Sequence, residues 1–432
     1  MTDRIKYALA KFKTKDYEGA LNDFNILLET SPFSSHLYKE RAMVKEKLKD
    51  LQGAMHDCNK AVELSPRYAD AHHQRARIKA ELHDYEGAIK DINEAIWLNT
   101  SSYEHYHERG RIKEKVKDYP GAIEDYTFAL QLKPDESNLY LSRGITKDFL
   151  NDYTGAVEDF NQAILLFPEG HKGYAERGHS TAKLKNYKQA LEDLDISIRM
   201  ESEHNPTAYL DRGFVKQRLK DYLGAIEDFN KAIELTPQLS EAYSNRANAK
   251  LRLNDYEGAL QDYNKAAELH PTSSVLCSRG TIQLKVKNYN AALNDFNAAL
   301  ALNPNLIRAW AKRSKVKIRM KDFAGALDDI TRAIELKPDD DSYYLQRGMT
   351  LFKLGNRDDA ITDFNKAIEL DPENGIVYCR RASTHHVLGN KNAALFDLIK
   401  AAELGYKRAN VLFDELYNEI PVYIIKSKAG LR

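Results

Sequence analysis

Alanine returns along the chain at Ala20, Ala54, Ala88, Ala122, Ala156, Ala190, Ala225, Ala259, Ala292, Ala326, Ala360 and Ala394, in steps of 34 residues except for one of 35 and one of 33. A second small residue follows seven positions later, as at Ala61, Ala95, Ala129, Ala163, Ala232, Ala266, Ala299, Ala333, Ala367 and Ala401, with Leu27 and Ser197 as departures. Between them, four positions after the anchor, stands a large apolar or aromatic residue such as Phe24, Ile92, Tyr126, Phe160, Phe229, Phe296 or Phe364. Offsets of four and seven put these side chains on one helical face, with alanine where two backbones approach closely. Ahead of the anchor an aromatic, a small and an aliphatic residue form a second stripe, as in Tyr140, Gly144 and Leu150. Polar turns such as Asn151-Asp152-Tyr153 separate the two stripes, and a proline closes most periods, for example Pro134, Pro168 and Pro237. Asp or Asn in the turn can cap the second helix, and proline suits the entry to the next. The pattern predicts helical hairpins whose two helices are each about 12 to 14 residues long.

Period, small-residue columns and closing proline resemble the tetratricopeptide repeat, most closely as it occurs in long bacterial multi-repeat proteins. The likeness extends over residues 1–404 and is clearest in Asp221-Tyr222-Leu223-Gly224-Ala225-Ile226-Glu227-Asp228-Phe229. It implies an all-α fold, a right-handed superhelical solenoid of about twelve 34-residue helix-turn-helix repeats with a C-terminal capping helix. Residues 1–404 form the array, with a shortened first helix over residues 3–13. Residues 405–432 supply the capping helix, through Ala409, Leu412, Phe413 and Leu416, and an apolar tail at Ile420-Pro421-Val422-Tyr423-Ile424-Ile425.

Two ionic columns depart from the generic repeat. Arginine stands thirteen positions before each anchor from Arg41 to Arg381, and aspartate three positions after each anchor from Asp23 to Asp397. Lysine usually stands nine before, as at Lys45, Lys147 and Lys250. A recurring arginine and a recurring aspartate in one stacked unit read as a ladder of partly buried pairs, within or between hairpins.

In the repeat this chain resembles, the first helices line an inner wall, and scaffold columns repeat while wall columns vary. Three zones follow. The first carries His36, Lys39, Glu40, Asp70, His73, Arg77, Glu104, His107, Glu108 and Arg111, mixed in charge. The middle carries Leu141, Ile145, Phe149, Leu210 and Phe214 and is apolar. The third carries Asn245, Asn248, Arg252, Lys285, Arg308, Lys312, Lys315 and Arg319 and is polar and basic. Leu210, Phe214 and the third zone are the expected ligand-binding residues. The carboxylate clamp of chaperone-binding relatives is matched only in part, since Ser244 and Ser278 stand where lysine and asparagine are needed beside Asn248, Arg308 and Lys312.

Sixty-four basic residues balance 64 acidic ones, so nucleic acid, which demands a basic excess, is not an expected partner. No window is long and apolar enough for a membrane span. Cys58, Cys277 and Cys379 form no disulfide framework, which points to a reducing, cytoplasmic setting. His73 and His107 sit about 10 Å apart in adjacent repeats with no completing ligand, so neither a metal nor any other cofactor is expected. No nucleophile elbow, phosphate loop or dinucleotide fingerprint is present. The expected role is therefore a non-enzymatic scaffold that holds an extended, partly acidic peptide or protein segment along its groove. The alternative is an architectural solenoid that oligomerises through its convex face, its edges or the C-terminal tail.

Overall fold

The structure, a computed structural model, describes residues 2–201 and 205–417. Within them the chain is all helix and turn, and its helices, α1 to α25 in chain order, pair as the repeat requires. They fall into two compact units, Met1–Asp221 and Tyr222–Arg432. Each unit is a solenoid of helix pairs in which every pair packs on its neighbours in sequence. The first unit contains six pairs followed by α13 (Pro206–Arg218); the second opens with α14 (Tyr222–Leu235), continues through five pairs and ends with α25 (Arg408–Tyr417). Ala409 and Leu412 of α25 join the core of the last pair, around Ala394, Leu398 and Ala401. The side chains of Phe413 and Leu416, and the apolar stretch 420–425, lie outside the described residues.

Each hairpin turn is built the same way. The residue five before the anchor is left-handed, with φ between 62° and 69° at Lys15, Lys49, His83, Lys117, Asn151, Lys185, Lys220, Asn254, Lys287 and Lys321, and glycine takes over at Gly355 and Gly389. The next residue caps the second helix, as where Asp50 Oδ1 accepts from Gly53 N at 2.9 Å. A methyl group on Gly53 would lie 2.0 Å from Asp50 Oδ2. That contact explains a paired change in the sequence: Asp caps stand over glycine, whereas Asn186, Asn288, Asn356 and Asn390 are followed three residues later by Gln189, Ala291, Asp359 and Ala393.

The interior of each pair shows the same complementarity. Gly110 faces Tyr126 and Gly144 faces Phe160, where an added methyl would meet ring carbons at 2.5 and 2.6 Å. Where the opposing residue is smaller, as with Cys58 or Ile92, the first helix carries Ala42 or Ala76. Ala247 departs from this, since it shares a core with the tyrosine ring of Tyr263.

The arginine and aspartate columns meet within the hairpin, from Arg41 and Asp57 to Arg177 and Asp193 in the first unit and from Arg246 and Asp262 to Arg381 and Asp397 in the second. On α15 (Ser240–Arg252) Arg246 donates through Nε and Nη2 to the two carboxylate oxygens of Asp262 on α16 (Tyr256–Leu269), at 2.9 and 2.6 Å. Lys250 reaches the same carboxylate at 2.8 Å, and the guanidinium lies 5.5 Å from the Tyr243 ring centroid. The remaining Nη1 of Arg246 donates to Asn230 on α14, at 2.6 Å, so one side chain ties three helices. The same link to the preceding pair recurs from Arg41 to Asn25, Arg109 to Asn93, Arg177 to Asn161, Arg313 to Asn297 and Arg381 to Asn365. The ladder therefore runs both within and between hairpins.

Gly144→Ala is expected to destabilise the first unit by about 1–3 kcal/mol through overpacking against Phe160. Phe160→Ile in the same chain should recover most of that loss, because it recreates the Ala76 and Ile92 arrangement; chemical unfolding of the single and double variants checks this.

Candidate functional site

First helices of successive pairs also touch one another, as α3 (Ser35–Lys47) touches α5 (Ala69–Glu81) and α17 (Ser273–Lys285) touches α19 (Ile307–Arg319). They form a face in each unit, and the two faces differ chemically. In the first unit, acidic side chains eight positions before the anchor bind the following first helix. Glu46 accepts from Gln74 at 2.6 Å and from Arg77 at 2.7 Å. Glu114 accepts from Thr146, and Asp148 from Ser180. His179 bridges toward Asp211 at 3.0 Å. These carboxylates are committed to the scaffold.

In the second unit the same column is apolar at Leu251, Leu284, Ile318 and Phe352, and His386 takes the last position. Its polar residues are basic, and α19 alone carries Arg308, Lys312, Arg313, Lys315, Lys317 and Arg319 with no acid. Arg313 and Lys317 are neutralised by Asp329 at 2.7 and 3.0 Å. Among the described residues, Arg308, Lys312, Lys315 and Arg319 pair with no carboxylate. Desolvation, then the adjacent Lys312, lowers the pKa of Lys315, a sign of cations held close together.

An open cleft of about 900 Å³ lies on this face, lined by Leu284, Lys285, Lys287, Tyr289, Lys315, Ile318, Arg319, Ser342, Leu345, Gln346, Met349, Thr350, Lys353 and Arg380. Six of these residues are cationic and none is acidic. Lys353 lies on α21 (Asp341–Leu354) and Arg380 on α23 (Gly375–Val387).

The expected binding residues divide. Lys285, Lys315 and Arg319 border the cleft, with Lys285 held 4.5 Å from the Tyr256 ring centroid. Arg308 and Lys312 lie on the same helix. Asn248 accepts from the Tyr263 hydroxyl at 2.6 Å, while Asn245 is partly buried and Arg252 is exposed on α15. Leu210 is 6% exposed and Phe214 partly buried, both on α13 of the first unit. The counterparts of Leu210 in later repeats, Cys277, Ala311 and Cys379, are also buried. Lys353, Arg380 and the apolar lining were missing from the expected set. Their signal was register: Leu284 and Ile318 stand eight before the anchor, Lys353 stands in the column of Arg319, Arg380 in that of Lys312 and Met349 in that of Lys315.

Other chemistry is not assembled. Among the described residues no group of three His, Cys, Asp or Glu could hold a metal ion. The three cysteines are buried, and burial pushes Cys58 up to about 12 and Cys379 to about 11, so they stay protonated and poor nucleophiles. No described helix is long and apolar enough to cross a membrane.

With this geometry in place, models of the tetratricopeptide repeat match residues 206–239, 240–273, 273–306, 307–340 and 342–374. Over residues 206–374 the chain is therefore built of tetratricopeptide repeats. Solved structures of similar fold include the Cut9–Hcn1 hetero-tetramer of the APC/C, 15% identical over 93% of this chain and 95% of that one, TM-score 0.47. A tetratricopeptide repeat protein from Parabacteroides merdae is 21% identical over 58% of this chain and 98% of its own, TM-score 0.48. YrrB, described as having an unusual peptide-binding site, is 21% identical over 43% and 96%, TM-score 0.39. No curated protein matches the chain. The general role of such a solenoid is that of a protein-interaction scaffold.

The histidines give the first unit a stability optimum. Burial holds His73 near 3 and His107 near 4. The unfolded chain binds protons at these sites near pH 6.5 and the folded chain does not, so stability declines as pH falls below 6.5. Asp211 raises His179 and Asp91 raises His72, so their contribution is complete below pH 6.5 and is lost as pH rises through their folded values. Protection free energies from hydrogen exchange in α5 and in α7 (Tyr103–Lys115) are expected to peak near pH 6.5, and the double variant His73→Gln, His107→Gln should flatten the acid side.

Proposed function

We propose that the second unit holds an extended, acidic segment of a protein partner against the face formed by α15, α17, α19, α21 and α23. The observation that carries this reading is the residue of charge after the ladder is satisfied. Arg313 and Lys317 are consumed by Asp329, yet Arg308, Lys312, Lys315 and Arg319 remain, and Lys285, Lys353 and Arg380 stand around the same cleft without an acidic neighbour in its lining. Cations crowded in this way repel one another, and an acidic ligand relieves that repulsion. An extended segment suits the geometry, since the cations are distributed over four consecutive first helices rather than gathered at one point. The first unit mixes acids with its bases, as where Glu46 meets Arg77 and Glu108 meets Arg111. The partner's acidic groups are assigned to Arg308, Lys312, Lys315 and Arg319; Leu210 stays a packing residue.

The double reversal Lys312→Glu, Lys315→Glu is expected to leave helix content unchanged and to weaken a fluorescent acidic peptide by at least about tenfold, or ~1.4 kcal/mol. Wild-type binding should also weaken with added salt, because exposed charges are screened. Equal affinity of both proteins for the peptide, or salt-independent binding, would overturn this assignment.

A further inference from the structure

We infer that the cleft between α17, α19, α21 and α23 is an anchor subsite, and that the partner is an acidic segment interrupted by one bulky apolar side chain. This deepens the proposed function and rests on it. A purely acidic ligand would use the cations but leave the floor unexplained. Leu284, Ile318, Leu345 and Met349 line the cleft beneath the charged rim, and Met349 is 37% exposed.

Two polar donors of the floor are already used inside the scaffold. Gln346 Nε2 donates to the carbonyl of Ala311 at 3.2 Å, and Thr350 Oγ1 donates to the carbonyl of Gln346 at 2.8 Å. With these donors used inside the scaffold and four apolar side chains around them, a polar ligand group entering the floor gains little for the water it loses, whereas an apolar one gains by leaving water. The volume, about 900 Å³, leaves room for a side chain together with the backbone on either side of it.

The column change already described produces this floor. Had Leu284 and Ile318 been acids, as Glu46, Glu114 and Asp148 are in the first unit, they would bind the next helix and the lining would be polar. Charge decides the occupant. The chain's own residues 418–432 are apolar in part, but they carry Lys426, Lys428 and Arg432 against the single acid Glu419, the wrong sign for a rim of six cations. A partner segment with carboxylates flanking an aromatic or large aliphatic residue matches both rim and floor.

Two peptides of equal length and charge, blocked at both ends and differing only in phenylalanine or alanine at the centre of an acidic run, test this against the full chain. The phenylalanine peptide is expected to bind at least about tenfold tighter, ~1.4 kcal/mol. Met349→Gln, and separately Leu345→Ala, should shrink that ratio to less than about threefold while the alanine peptide keeps its affinity, and thermal melts should show both variants folded. Equal binding of the two peptides to wild type would overturn the anchor and leave the acidic-segment reading standing. A preference that survives both substitutions would place the anchor elsewhere and overturn this cleft. If neither peptide binds, the acidic-segment reading and the anchor fall together.

Discussion

A guanidinium shared between a buried carboxylate and the preceding helix pair is the interaction on which this structure depends. Arg246 shows its full form, with two bonds to Asp262, one to Asn230, and Lys250 completing the carboxylate's surroundings. Asp262 is 4% exposed, so its charge is tolerable only while these partners are in place. The planar fork of arginine suits this position because it can grip both carboxylate oxygens and still present a donor on its far side. Hydrophobic packing between alanines and rings supplies the bulk of cohesion in each pair. The ionic link adds register, because an arginine that must reach both its own hairpin and the one before it permits only one stagger between them.

The ladder also changes how the composition should be understood. A formal charge of zero over the whole chain is the sum of two populations: cations and anions cancelled inside the scaffold, and those left for other uses. In the first unit the remaining charges find one another across successive first helices, as Glu46 finds Arg77. In the second they do not, and α19 retains four cations after its structural pair is subtracted. The proposed function rests on this remainder rather than on the total.

Much of this was legible from residue spacing. The 34-residue period, the anchor alanines and the facing apolar residues gave hairpins and their boundaries, because helix packing imposes a fixed spacing on side chains that touch. The arginine and aspartate columns announced their pairing by recurring in every repeat after the shortened first one. The asparagine five after the anchor was equally visible, at Asn25, Asn93, Asn230 and Asn365, but its partner lies in the next repeat, and a column alone does not say which neighbour it serves. Leu210 shows a different limit: its register put it on the inner wall, but register alone does not say how exposed a side chain is, and Leu210 is 6% exposed. The cleft was hidden for a related reason. Leu284, Ile318 and the pair Leu345 and Met349 come from three successive repeats and become a floor only when the helices stand side by side.

The most direct test of the central claim is a double-mutant cycle on Arg246 and Asp262, read by hydrogen exchange in α15 and α16. Arg246→Ala should cost about 2–4 kcal/mol, since it leaves a buried carboxylate short of a partner and cuts the link to Asn230. Asp262→Ala should cost a comparable amount by stranding Arg246 and Lys250, and the double variant should cost well under the sum of the two singles. Single variants with unchanged protection, or losses that simply add, would show that the stack is held by packing alone and would contradict the account.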